Sequence, residues 1–208
     1  MDSLRYKIIE FFIIFMVLPI GFTFNYSAWL KLSIGICGFI YICYILLRHE
    51  KIAFKVAIGL NWILFWKQTL VKLIIISALT TFFVWITNKD VLFYVLLEKP
   101  KFWFLILFIY SVFSVYPQEI VYRTFFFNRY KTILTNKNVL IVVNALVFSL
   151  GHVFFKNLLV LILTFLGGLL FALTYYKTRS TLLVSIEHAI YGSWLFTVGM
   201  GSMLGFPD

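Results

Sequence analysis

The 208-residue sequence predicts an all-α fold: a polytopic transmembrane helix bundle of about seven spans with one interfacial helix. Three observations lead there. Hydrophobic residues make up 62% of the chain and charged residues 12%, whereas soluble domains are nearer half apolar and a quarter charged. The apolar positions gather into runs close to the ~20 residues that a helix needs to cross hydrocarbon. Basic residues are scattered through the short segments between those runs. The net charge of +10 therefore reads as membrane orientation, and no nucleic-acid partner is expected, because that would require a clustered basic face. At this length the expectation is one integral membrane domain, 1–208, in contact with membrane lipids.

Arg5 and Lys7 precede the first apolar run, about 8–24, as they would in a signal peptide. No small-residue cleavage site follows, so this helix is expected to be retained. The second span is expected at about 32–47. Cys37 and Cys43 both fall in it and would lie roughly 9 Å apart at about 1.5 Å rise per residue, too far for a disulfide, so they read as packing residues. Residues 48–68 mix Arg48, Lys51, Lys55 and Lys67 with Trp62, Phe65 and Trp66, the composition of an amphipathic helix lying on an anionic leaflet. A third span follows at about 69–87, with Lys72 near its start expected to reach the headgroups.

A loop at 88–101 leads to the fourth span, about 102–127, and the polar stretch 128–138 to the fifth, about 139–155. Lys156-Asn157 forms a corner. The sixth span, about 158–176, contains Gly167-Gly168, a pair that permits close helix approach. Residues 177–180 turn the chain into the seventh, about 181–200. With a cytoplasmic N-terminus and alternating spans, Arg5, Lys7, Arg48, Lys51, Lys55, Lys67, Arg129, Lys131, Lys137, Lys177 and Arg179 fall inside. Only Lys31, Lys89, Lys99, Lys101 and Lys156 fall outside, which supports that orientation. No inverted repeat of the transporter type is visible.

Against this background, PQEIVYRTFFFNR at 117–129 is anomalous. It places Gln118, Glu119 and Arg123 where hydrocarbon is expected, and a charge at mid-bilayer costs about 2.5–3.5 kcal/mol on insertion scales. Glu119 and Arg123 are four apart, share a helical face and can neutralise each other. His152 and His188 are embedded in later apolar runs. Asn144, Phe148 and His152 recur every four residues and make one helical stripe. Glu187 and His188 are neighbours pointing about 100° apart, so Glu187 either faces the same site or supports it from behind. Three polar groups from three spans are expected to converge in the bundle interior. Each also has a structural reading: an ion pair stitching helices together, or a histidine bonded to a backbone carbonyl. Phe125, Phe126 and Phe127 are expected to face lipid or the membrane interface. A carboxylate with two imidazoles suits hydrolysis, the carboxylate acting as base and the imidazoles polarising or stabilising.

These residues resemble the CPBP family of intramembrane endopeptidases (CAAX proteases and bacteriocin-processing enzymes, also called Abi). Its Glu-Glu-xxx-Arg motif is matched by Gln118, Glu119 and Arg123, its Phe/His motif by Phe148 and His152, and its late His motif by His188 with Gly192. All three occur in order within about 102–200, the motif-bearing core. The resemblance implies an integral protein of a bacterial plasma membrane that hydrolyses a peptide bond of a membrane-associated peptide or protein. Glu119 would polarise the water with His152, His188 would stabilise the oxyanion, and Arg123 would hold the carboxylate. Substrates in such a family include prenylated C-termini, peptide pheromones and bacteriocin leaders.

The departures are specific. The family's water-activating first Glu is Gln118 here, and Gln accepts no proton at neutral pH, so Glu119 must be the base or the chain is not a protease. The Asn that helps hold the oxyanion is Gly192, which leaves Asn144 as a substitute donor. Thr124 stands where the family usually has Gly. In a rival form of the mechanism, zinc is held by Glu119, His152 and His188, although no HExxH helix is present. Two other functions stay open: an inactive relative acting as a membrane scaffold or immunity protein, and a small transporter or proton relay.

Overall fold

The computed structural model describes residues 3–52, 59 and 61–205, and all regular structure among them is helical. Five helices among the described residues are long and apolar enough to cross a membrane: Ala28–Arg48, Trp62–Thr87, Pro100–Tyr130, Lys137–Phe155 and Leu158–Thr178. The first apolar segment is helical over 4–21 and carries Arg5, Lys7 and Glu10. The last long helix, Thr181–Thr197, has 17 residues. The expected interfacial helix lies partly outside the described residues, at 53–58 and 60. Its second half, with Trp62, Phe65 and Trp66, instead starts the long helix Trp62–Thr87.

Proline shapes two of these helices. Pro19 and Pro117 lack the N–H that would close an α turn, and the proline ring crowds the carbonyl four residues back. A widened π turn precedes each, at Ile13–Val17 and at Tyr110–Val115. A further π turn, Ile120–Phe125, follows the single α turn Tyr116–Glu119. Gln118 and Glu119 thus sit between two π segments, a feature frequent at functional sites.

The chain divides into two compact units. The first comprises Met1–Val56 and Gln118–Arg179. Its framework is the hairpin of helices Lys137–Leu150 and Leu158–Thr178. The corner between them forms as expected. Lys156 takes a left-handed conformation (φ 53°), and the Asn157 side chain accepts from the N–H groups of Leu159 and Val160. The approach is tight at Gly168, where a Cβ would come within 3.0 Å of the Ala145 Cα. Gly167 faces only the Phe171 ring.

Phe125, Phe126 and Phe127 do not face lipid. All three are fully buried, Phe126 against Phe15 (ring centroids 5.5 Å apart) and Phe127 against Tyr175 (5.2 Å). Hydropathy does not distinguish a lipid-facing phenylalanine from a packed one. Arg129, expected in a cytoplasmic loop, is also fully buried. Its Nε donates to Glu10 Oε2 (2.7 Å), its second terminal nitrogen to Glu10 Oε1 (3.3 Å) and its first to Glu50 Oε1 (3.1 Å). Tyr130 donates to the same carboxylate at 3.0 Å, and the Tyr41 hydroxyl donates to it as well. Cys37 and Cys43 are free, Cys37 on the exposed face rather than in the core.

The second unit comprises Ala57–Pro117 and Ser180–Asp208. Ile106, Tyr110, Val115 and Phe196 form its core cluster. Indole N–H groups tie its helices together: Trp103 donates to Thr197 Oγ1 and Trp194 to Thr80 Oγ1, both at 2.9 Å. Thr181–Thr197 starts on the Ser180 hydroxyl, which accepts from the Leu183 N–H. It ends in a Schellman motif, with Met200 N–H on the Leu195 carbonyl and Gly199 N–H on that of Phe196. Gly199 takes φ 100°, and a Cβ there would strike the Val91 carbonyl oxygen.

Candidate active site

Glu119 closes the α turn after Pro117, and Arg123 lies in the π turn that follows. Both are completely buried, with Arg123 Nε 3.3 Å from Glu119 Oε2, which matches the pairing expected from their spacing. The guanidinium also lies over two aromatic rings. It lies 4.5 Å from the Phe148 ring centroid and 5.6 Å from that of Phe171. Such cation–π contacts stabilise a desolvated arginine and fix its orientation. Gln118 is half-buried.

Phe148 and Asn144 lie on one face of Lys137–Leu150 and are buried. Asn144 donates from its amide nitrogen to the Tyr122 backbone carbonyl inside the π turn, so it ties this helix to the motif-bearing segment. His152 lies just beyond the regular helix, where the backbone tightens into the 3-10 turn Val153–Phe155. Its ring packs on Phe148 (4.8 Å), and its Nδ1 is 2.8 Å from the Phe148 carbonyl oxygen. A carbonyl oxygen only accepts, so Nδ1 carries the hydrogen and Nε2 is the acceptor nitrogen of the neutral ring. The first unit therefore groups Glu119, Arg123, Asn144, Phe148 and His152 through a chain of contacts.

His188, Glu187 and Gly192 belong to the second unit. His188 is buried, its ring edge-on to Tyr110 at 6.1 Å. Glu187 is fully buried. Its Oε1 accepts from Lys72 Nζ at 2.6 Å and lies 3.0 Å from the Tyr191 hydroxyl. Lys72 therefore does not reach for headgroups but neutralises a carboxylate inside its own unit. This pairing and the Tyr191 contact fix Glu187 within the second unit, directly before His188 in the chain. Sequence reading missed Lys72, because a lysine near the end of an apolar span has an ordinary explanation in snorkelling.

Among the described residues, no three His, Cys, Asp or Glu side chains are grouped so as to hold a metal ion.

A family model described as type II CAAX prenyl endopeptidase Rce1-like matches residues 100–205, half of the chain. The matched segment contains all three motifs. The chain belongs to this Rce1-like family of intramembrane proteases, in agreement with the CPBP resemblance. It is an integral membrane protein. No curated protein and no solved structure matches it.

Proposed function

We propose that this chain is an intramembrane endopeptidase that hydrolyses a peptide bond in a membrane-associated peptide bearing a lipid-modified, prenylated cysteine. One observation carries the assignment: a fully buried carboxylate, Glu119, is oriented by the stacked Arg123 within the family-matched segment. A buried charge of this kind in an apolar span is a functional group by default. The N-terminus is cytoplasmic in this reading, following the basic-residue bias.

Glu119 takes a proton from the attacking water as its oxygen bonds to the scissile carbonyl carbon. His152 Nε2 accepts a hydrogen bond from the water's other O–H, which stays on the intermediate as its hydroxyl, an orientation consistent with its Nδ1–H on the Phe148 carbonyl. His188 donates to the oxygen that becomes the tetrahedral oxyanion, the kind of stabilisation that dominates acyl transfer. When the intermediate collapses, the C–N bond breaks and Glu119 returns its proton to the leaving amine. Arg123 contributes by holding the carboxylate, and Gln118 contributes an amide beside it rather than a second base. Residues 102–200 form the reacting core of a single membrane domain.

The test compares protein termini in host membranes carrying wild type or Glu119→Gln, which keeps size and most hydrogen bonding. Termini present only with wild type, at equal protein levels, support hydrolysis and identify the substrate. Identical profiles would sink the protease reading and leave a membrane scaffold.

A further inference from the structure

Gly192 follows His188 by one helical turn, so the two share a face of Thr181–Thr197. A Cβ built at Gly192 would fall on the hydroxyl oxygen and Cζ of Tyr110. The volume that a side chain at 192 would need is thus filled by the polar tip of a tyrosine. Tyr110 begins the π turn Tyr110–Val115, and its ring is clamped by Phe196 (4.8 Å) and His188 (6.1 Å) within the buried cluster. Only glycine at 192 lets the phenol come this close. An aromatic that merely filled space would bring its apolar edge to the helix, whereas here the O–H lies along the His188 face.

We infer that Tyr110 is the second oxyanion donor of this protein. Its phenol O–H and the His188 ring N–H together hold the oxygen of the tetrahedral intermediate. The inference rests on the hydrolytic reading above. Tyrosine hydroxyls serve as oxyanion donors in water-excluded sites, where they stay protonated and need no reorganisation as charge develops. A donor of this kind supplies the function that a side chain at Gly192 lacks.

The test uses a synthetic peptide, with its lipid, spanning a terminus that depends on Glu119 in host membranes. Tyr110→Phe keeps the ring packing and removes only the hydroxyl. It should lower kcat about 100- to 1000-fold, as loss of one oxyanion donor does, with KM and the unfolding midpoint in detergent unchanged. Tyr110→Ala should also be slow, and adding Gly192→Asn, which places an amide in the vacated space, should recover at least about 10-fold, a fraction of that donor effect. If Tyr110→Phe cleaves at the wild-type rate while Glu119→Gln does not, Tyr110 only packs and the inference fails with the protease reading intact. If wild type produces no Glu119-dependent terminus, both fail together.

Discussion

Replacing Glu10 by Met should destabilise the protein more than any single change at its exposed apolar faces. The carboxylate is buried and takes two N–H groups from the fully buried Arg129, with Tyr130 and Tyr41 hydroxyls completing its shell. Breaking a buried ion pair costs about 3–5 kcal/mol because the remaining charge stays desolvated. Arg129 would keep Glu50, whose Oε1 is 3.1 Å away, so the expected loss is near the lower end, about 3 kcal/mol. Removing both charges in Glu10→Met/Arg129→Met eliminates the orphaned guanidinium. What remains is the loss of partners for two tyrosine hydroxyls, about 1 kcal/mol each, and of Arg129 for Glu50, a carboxylate that is partly exposed and can be hydrated instead. The double variant should therefore lie only about 1–2 kcal/mol below wild type, above the single one. Equilibrium unfolding in mixed detergent micelles, followed by helical circular dichroism, measures the cycle. A single variant within ~0.5 kcal/mol of wild type, or a double variant less stable than the single, would refute the reasoning.

Three further outcomes follow from the same geometry. Gly168→Leu should cost about 1–3 kcal/mol in the same unfolding assay, because its side chain meets the Ala145 backbone, while Gly167→Ala should be nearly neutral against the movable Phe171 ring. Lys72→Met should cost about 2–3 kcal/mol by leaving Glu187 buried beside Tyr191 alone, and adding Glu187→Gln should restore most of the loss. If that second change brings no recovery, the ion pair is not the cause. Arg123→Lys keeps the charge but loses the planar stack on Phe148 and Phe171, so stability should fall by about 1–2 kcal/mol. Cleavage should drop by more than about tenfold, the cost of a catalytic carboxylate released from its orientation, as seen in the Glu119-dependent termini.

The helical membrane class was readable from the sequence because hydrocarbon leaves the backbone few options. With no water to bond, each apolar run must close its own N–H and C=O groups as a helix. Local geometry was readable for the same reason. The four-residue spacing of Glu119 and Arg123 becomes a buried pair, and Lys156-Asn157 turns the chain. These depend on neighbours within one turn, and the residues themselves specify them.

Contacts between distant segments were not readable. Glu10 and Arg129 are 119 positions apart, Lys72 and Glu187 are 115 apart, and Glu10, Arg129 and Lys72 lie near span ends where a charge looks solvated. Nor did hydropathy separate the buried Phe125–Phe127 run from exposed aromatics such as Phe113, because lipid and protein interior are equally apolar. The phenol seated over Gly192 is of the same kind: a missing side chain shows in the sequence, but what fills its place does not. Sequence by itself determined that the chain spans a membrane as helices and carries the family's motifs. Tertiary packing alone decided which charges are paired and which aromatics are core, because in a medium as greasy as the protein interior only shape and partner geometry distinguish inside from outside.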